Sequence, residues 1–436
     1  MSIPLSAADA DARFIGIDLG TSGCRAVAID RDARQVSEAR TGLPDSRRSG
    51  DGGSEQDPED WWQAVTDTLV AVVGRARGTV RAICVDGTSS TLLLAGMDGR
   101  PCTPAVMYDD TRAGTEAIAI ADVASDTSAA RGASSALAKL LFLQRHYGDA
   151  DAAFALHQAD WISGRLRGHY GFSDENNCLK LGYDPVARRW PDWLRVSGAD
   201  MRLLPQVLPV GRVLGRVAPD IARRFAVPRD TQIVAGTTDS NAAALAAGIG
   251  RPGDAVTSLG STLVLKVVGE RPVTAAKFGV YGHRIGDLWL VGGASNTGGA
   301  VLRAFFSDRE IVELSRKIDP SRDSGLDYYP LRAVGERFPL ADPNLQPRLQ
   351  PRPDNDVLFL HGLLEGIARI ERQGYLRLAD LGAPYPSRVL TAGGGAVNAA
   401  WSALRARVLG VPVERALHGE ASFGCALLAL RANENS

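Results

Sequence analysis

The feature that most constrains this chain is a β-hairpin written twice. Residues 13–30 read Arg-Phe-Ile-Gly-Ile-Asp-Leu-Gly-Thr-Ser-Gly-Cys-Arg-Ala-Val-Ala-Ile-Asp, two alternating apolar segments around a glycine and hydroxyl tip. Period-two alternation on both sides of such a tip predicts an antiparallel pair. Residues 254–268 repeat the pattern. Laid over the first hairpin, Leu259-Gly260-Ser261-Thr262 falls on Leu19-Gly20-Thr21-Ser22, with Ser258 where Asp18 stands. One copy per half implies two related halves. The 436 residues also exceed what a single core holds, so two domains of roughly 200 residues each are expected.

Gly20 and Gly23 let the first tip turn several backbone N–H groups the same way. Such a concavity suits phosphate oxygens, and Asp18 at the strand end suits a hydrated Mg2+. The same residues also make an ordinary turn. No GxxxxGK[ST] occurs in the chain, so this is not a Walker-type loop. Two such tips facing one another would grip a polyphosphate from both sides, with a metal-side carboxylate on the first only.

Between the hairpins, an apolar run ending in Ile233, Val234 and Ala235 predicts a buried strand, and Gly236 breaks it. Gly-Thr-Thr-Asp-Ser-Asn follows, then a helix of small residues against which another backbone can pack closely. Asp239 or Ser240 stands where the helix N-cap belongs. A carboxylate held there, near mid-chain, either caps the helix or faces a cleft as a working acid.

The remaining polar points are read in the same two ways. A strand over residues 80–85 ends at Asp86-Gly87-Thr88-Ser89-Ser90, where an α/β fold places ligands or where a plain loop runs. Residues 104–112 open into a charged tip whose Asp110 and Arg112 either bind hydroxyls or pair with each other. Residues 389–398 form a strand, a Gly393-Gly394-Gly395 turn and a helix, without a GxGxxG pattern. Three glycines there admit a flat ring to the backbone, or simply pack strand against helix. Helices are expected from Pro58 through Leu69, over 134–147, 357–379 and 421–430. Trp190 and Trp193 read as surface aromatics, and residues 328–352, rich in proline and arginine, as a surface excursion.

A formal net charge of -1 supplies no field for a nucleic acid backbone. The five cysteines are scattered without a CxxC pair, which points to reduced thiols in a cytoplasmic setting. No apolar run approaches the ~20 residues that span a bilayer. Residues 1–11 lack a basic-then-apolar pattern and read as a short frayed tail.

The order of these signals says more than any one of them. An Asp-x-Gly-Thr-Ser hairpin, a mid-chain Gly-Thr-Thr-Asp, a Leu-Gly-Ser-Thr hairpin and a Gly-Gly-Gly turn together resemble the FGGY carbohydrate kinases of the actin/hexokinase/Hsp70 superfamily. The resemblance runs from Arg13 to Leu430. It is strongest to the short D-ribulose kinases of cyanobacterial and plant type, on Gly236-Thr-Thr-Asp-Ser, Thr257-Ser-Leu-Gly-Ser-Thr, Gly292-Gly-Ala-Ser-Asn, Ser324-Gly-Leu-Asp-Tyr-Tyr-Pro and His361-Gly-Leu-Leu-Glu-Gly.

The resemblance implies an α/β fold with two domains of ribonuclease H-like, actin-like ATPase architecture around a central cleft. The N-terminal domain would span 12–240 and take back the C-terminal helix 420–431; the nucleotide-side domain would span 241–419. It implies an ATP- and Mg2+-dependent kinase for the terminal hydroxyl of a ketopentose, D-ribulose first, with D-xylulose, L-ribulose or ribitol as alternatives. A nucleotide-driven clamp without kinase activity is the rival from another class. Asp239 matches the family's catalytic aspartate, Asp18 the metal-side aspartate, and Gly20 and Thr21 the first phosphate loop. Gly260, Ser261 and Thr262 match the second phosphate loop, and Gly394, Gly395 and Asn398 the adenosine motif. Ser89 falls where the family contacts sugar, with Ser22, Gly23 and Asp18 beside it; Asp110 and Arg112 resemble a Trp-x-Asp-x-Arg stretch. Many xylulose and glycerol kinases carry Gln-Met-His or Gln-Arg-Glu where Thr88-Ser89-Ser90 stands here, which argues against those two substrates. The implied partners are a small sugar and ATP, on a monomer or homodimer without nucleic acid or membrane.

Overall fold

The computed structural model describes residues 11–148 and 151–434, so the expected N-terminal tail lies outside the described residues apart from Asp11. The chain divides into two compact units, Met1–Ala246 with Glu420–Ser436, and Ala247–Gly419.

The first unit is built on the first hairpin. Strands β1 (Ala12–Leu19) and β2 (Gly23–Ile29) pair antiparallel from Phe14 opposite Ile29 to Leu19 opposite Cys24. β3 (Gln35–Gly42) extends the edge beyond β2. Helix α1 (Pro58–Ala76) follows, and its start has a local cause. The Asp57 carboxylate accepts the Glu59 N–H, Pro58 occupies the first turn, and Glu59 and Asp60 complement the helix dipole. The face carrying Trp61, Val65, Leu69 and Val72 is buried against the sheet, with Trp61 edge-on to Trp161 at 6.3 Å. β4 (Thr79–Gly87) lies parallel to β1 on its other side. Two helices, α2 (Ala136–His146) and α3 (Gln158–Arg167), lead to β5 (Val213–Arg216) and β6 (Gln232–Val234). The six-stranded order is β5-β6-β4-β1-β2-β3. Helix α4 (Asp239–Ala247) begins at Asp239, with Thr238 supplying the carbonyl for the first intrahelical bond, from Ala242.

In the second unit the hairpin returns as β7 (Asp254–Leu259) and β8 (Leu263–Gly269), paired from Ala255 opposite Val267 to Leu259 opposite Leu263. β9 (Tyr281–Ile285) and β10 (Leu288–Ser295) extend the β8 side. Short helices α5 (Gly299–Leu302) and α6 (Asp308–Ser315) precede α7 (Asp356–Asp380), which the Asn355 side chain caps on Val357 and Leu358. β11 (Arg388–Ala392) lies parallel to β7, followed by α8 (Ala399–Leu409) and β12 (Val413–Arg415), in the order β9-β10-β8-β7-β11-β12. Both units thus place the first hairpin strand between its antiparallel partner and a parallel strand that comes later in sequence. Behind the second sheet, the fully buried Arg405 guanidinium grips Glu371 through two 2.6 Å bonds and donates to Thr391 at 2.7 Å. A buried ion pair stands only when each polar group is satisfied in this way.

The last helix, α9 (Ala421–Glu434), belongs to the first unit. It lies on β1 and α4 so closely that a Cβ on Gly16 would meet the Ser422 carbonyl at 1.9 Å, and one on Gly424 the Ala242 carbonyl at 1.9 Å.

Two expectations about the surface are corrected. Trp190 and Trp193 are half-buried against an apolar cluster with Leu181 and Leu194, Trp190 edge-on to Tyr183 at 5.2 Å. The segment 328–352 is anchored, not an excursion: Tyr328, Leu331 and the fully buried Phe338 belong to the core of the second unit.

Candidate active site

One end of the first sheet gathers the polar groups of that unit. Register sets Asp18 opposite Asp86 and Leu19 opposite Gly87 on parallel β1 and β4. A further parallel bridge joins Gly87 to Thr238, the residue before Asp239. Three chain segments therefore end side by side: the first hairpin tip, the Thr88–Ser90 loop and the head of α4.

Asp18 is buried and accepts from Arg25 Nη1 at 3.2 Å, while Arg25 also reaches Glu420 at 3.6 Å. Burial raises the Asp18 pKa, and hydrogen bonds from Asp86 and Arg25 oppose that rise. Asp86 is completely buried and accepts from Cys425 Sγ at 3.1 Å, and its Oδ1 has no hydrogen-bond partner among the described residues. Burial, then the charge of Asp18, pushes its carboxyl well above the carboxylate range. Asp86 is thus the member of the pair whose proton is held more strongly. Along the chain Asp86 is only a strand end; strand register pairs it with Asp18.

Asp239 is half-buried, and its Oδ1 accepts the Ser240 N–H at 2.6 Å. Behind it, Asn176 Nδ2 donates to Thr237 Oγ1 at 2.9 Å. Asp174 orders the loop carrying Asn176 by accepting the Asn176 and Asn177 N–H groups, and burial pushes its pKa to about 7. Lys180 is half-buried nearby. Burial lowers its pKa, and the Asp239 carboxylate pulls it back up.

The first tip closes with Gly20 N–H on the Gly23 carbonyl at 3.0 Å. Gln56, which the sequence did not single out, supports it: Nε2 donates to the Thr21 carbonyl at 2.9 Å while Oε1 accepts from Trp61. Thr21 and Gly23 are half-buried and Ser22 is exposed. Gly23 has a structural cause of its own, since a Cβ would lie 2.7 Å from the Thr41 carbonyl. Ser89 is half-buried, and Thr88 and Ser90 are buried. Asp110 and Arg112 pair with each other at 2.7 Å, Asp110 also holding the Ser54 N–H and Arg112 also holding Glu55.

In the second unit a cavity of about 740 Å3 is lined by Gly260, Ser261, Gly394, Gly395 and Asn398. Thr262 does not line it; its carbonyl accepts the Gly260 N–H at 3.2 Å. The tip is braced by α5, whose Gly299 and Ala300 N–H groups donate to the Gly260 and Ser261 carbonyls. The three glycines of the turn divide. Gly393, at φ +82, faces the Leu259 carbonyl, and Gly395 faces the Leu259 side chain at 2.7 Å, so packing explains both. Gly394 has nothing within 4 Å of its Cβ position. Asn398 is occupied: Oδ1 caps α8 at Trp401 N–H, and Nδ2 donates to Ser315 Oγ at 2.8 Å.

The sequence matches the N-terminal domain of the FGGY family of carbohydrate kinases over residues 13–246 and its C-terminal domain over 255–433. The chain belongs to the FGGY family of carbohydrate kinases.

This FGGY kinase is 26% identical to the xylulose kinase of Bacillus subtilis, over 95% of this chain and 87% of that protein. It is 28% identical to the xylulose kinase of Streptomyces coelicolor, over 92% and 83%. Among solved structures, the xylulose kinase of Rhodospirillum rubrum superposes with a TM-score of 0.85 at 24% identity, over 97% and 90%. The Plasmodium falciparum glycerol kinase with ADP superposes at 0.86 and 16%, over 98% and 90%. The fold is that of the actin-like ATPases. FGGY kinases take ATP as phosphate donor, generally with a divalent metal ion. Among the described residues of this one, no group of three or more His, Cys, Asp or Glu side chains is arranged to hold a metal, and no helix is long and apolar enough to cross a membrane.

Proposed function

We propose that this kinase phosphorylates the terminal hydroxyl of a ketopentose, converting D-ribulose to D-ribulose 5-phosphate. The reading is carried by one observation: the Gly87–Thr238 bridge sets Asp239 beside the Thr88–Ser90 loop, just past the register position of Asp18 and Asp86. In this reading Asp239 accepts the proton of the attacking hydroxyl, and Ser89, with Ser22 and Gly23, orients the sugar. Gly20 and Thr21 offer phosphate contacts in the first unit; Gly260 and Ser261 do so in the second, where the open face of Gly394 admits the nucleoside. Phosphoryl transfer asks for positioning and charge neutralisation more than covalent help, which suits a site of backbone amides and one acid.

A hydrated Mg2+ needs only one or two carboxylates besides phosphate oxygens, so the lack of a protein cage does not argue against it. The buried Asp18 carboxylate at the end of β1 is the residue that would hold it. When bound, the ion neutralises charge on the phosphate oxygens.

The Thr88-Ser89-Ser90 loop weighs against xylulose and glycerol, and the resemblance of the Gly236-Thr-Thr-Asp-Ser and Thr257-Ser-Leu-Gly-Ser-Thr stretches to D-ribulose kinases favours D-ribulose. The names of the curated relatives support D-xylulose as the second reading. A coupled kinase assay over D-ribulose, D-xylulose, L-ribulose and ribitol separates them, with the highest kcat/KM expected on D-ribulose. Asp239→Ala should abolish phosphorylation of the preferred sugar and leave ADP affinity near wild type. Retained activity within tenfold of wild type would remove Asp239 from the role of base.

A further inference from the structure

The loop that this reading gives to the sugar is held by two buried side chains outside the family motif. From Thr88 to Thr91 the chain makes a tight turn, closed by Thr91 N–H on the Thr88 carbonyl at 3.4 Å. Its third residue, Ser90, sits at φ +69, in the left-handed region that turns reserve for glycine. A serine stays there only when its surroundings over-determine it. Lys139, on α2 and fully buried, donates through Nζ to the Ser90 carbonyl at 2.9 Å and to the Met107 carbonyl at 2.7 Å. Gln158, the first residue of α3 and also fully buried, accepts through Oε1 from Thr88 N–H at 3.0 Å and Thr88 Oγ1 at 2.9 Å. A Cβ on Gly87 would lie 3.0 Å from that same Oε1, so the amide and the backbone are in close contact.

Among the described residues no carboxylate forms an ion pair with Lys139. Asp110 and Asp109 act on it at longer range, Lys180 repels it, and burial brings its pKa down to about 7. Burying an ammonium to hold two carbonyls is costly, and a core position alone has no need of it. Ser90 Oγ and Gln158 Nε2 are buried without a hydrogen-bond partner among the described residues, so donor capacity remains next to the turn.

We propose that Lys139 and Gln158 are positioning residues that fix the Thr88–Thr91 turn in the conformation presenting Ser89 to the sugar, and so set which pentulose is accepted. This rests on the sugar-loop reading above. Lys139 fixes the strained end of the turn and ties it to the stretch before Asp110; Gln158 fixes the other end.

The test is Lys139→Met, alone and with Ser90→Gly. The single variant should raise KM for the pentulose at least tenfold, with kcat and KM for ATP within threefold of wild type. Glycine accepts a positive φ without help, so Lys139→Met with Ser90→Gly should bring the sugar KM back to within threefold. Gln158→Leu should raise the sugar KM in the same way but gain nothing from Ser90→Gly. A packing role alone would lower stability and kcat together and would not be rescued. An unmoved sugar KM in Lys139→Met, or absence of rescue, overturns the proposal. Hydrogen exchange at Thr91 N–H gives a readout independent of any substrate: faster in Lys139→Met, restored with Ser90→Gly. If no pentulose is turned over by the wild type but exchange follows that pattern, the substrate reading fails and the positioning stands. If Lys139→Met does not fold, Ser90→Gly alone decides: relieved strain raises Tm, and a lowered Tm overturns the proposal.

Discussion

Asp18 and Asp86 stand at one register position on neighbouring parallel strands, and burial raises the pKa of both. In the second unit the equivalent pair is Ser258 and Ala392, so the acidic row exists once. Folding raises the Asp86 pKa above its ordinary 3.8, so above that pH the folded state binds more protons than the unfolded chain. The sign follows: the contribution of this group is whole below about pH 4 and is lost as pH rises. Asparagine can donate to Asp18 and accept from Cys425 without titrating. Asp86→Asn should therefore melt with wild type near pH 4 and increasingly above it toward pH 8. A Tm difference that stays constant across that range would show that the buried proton is not where we place it.

Two glycines separate packing from ligand access. Gly424→Ala puts a methyl 1.9 Å from the Ala242 carbonyl, between α9 and the helix that begins at Asp239. Both contacts are backbone, so one helix must move, at about 1–3 kcal/mol or more. We expect a Tm lower by several degrees and a loss of kcat out of proportion to it, because α4 carries Asp239. Gly394→Ala meets no protein atom. Its Tm should equal wild type while ADP binding by calorimetry weakens at least tenfold. Unchanged ADP affinity would take the nucleoside away from this turn.

These two cases also mark how far the sequence could be read. Repeated hairpins, strand–glycine junctions and a small-residue helix are local patterns, and the sheets follow them closely because period two and a glycine tip leave few other pairings. What needs register is invisible along the chain. Asp86 looked like the end of a strand until β4 was set against β1. Gln56, Lys139 and Gln158 act through contacts tens of residues away, from stretches that read along the chain only as a polar loop and two helices. Asn398 shows a further limit. Its place after a glycine turn matches an adenosine contact, and the structure adds what the sequence does not show: it lines the cavity while its side chain also caps α8 and holds Ser315. The aromatic and proline-rich stretches were read as surface from composition, whereas Phe338 is fixed by the space left beside Gly293 and Gly374.

Arg303 makes the last prediction. It follows α5 directly, donates to Ser261 Oγ at 3.3 Å, lines the 740 Å3 cavity and pairs with no carboxylate among the described residues. An exposed guanidinium beside a tip of backbone amides matches the charge of a nucleotide's phosphates and adds nothing for its base. A charge-assisted hydrogen bond is worth about 1.5–3 kcal/mol, roughly ten- to a hundredfold in affinity. Arg303→Ala should weaken ADP and ATP by about that factor, the loss shrinking as salt is raised, while adenosine binding and Tm stay at wild type. Lysine at this position should recover part of the affinity, since it keeps the charge but not the fork. Equal weakening of adenosine and ADP would mean that Arg303 shapes the cavity wall and reads no phosphate.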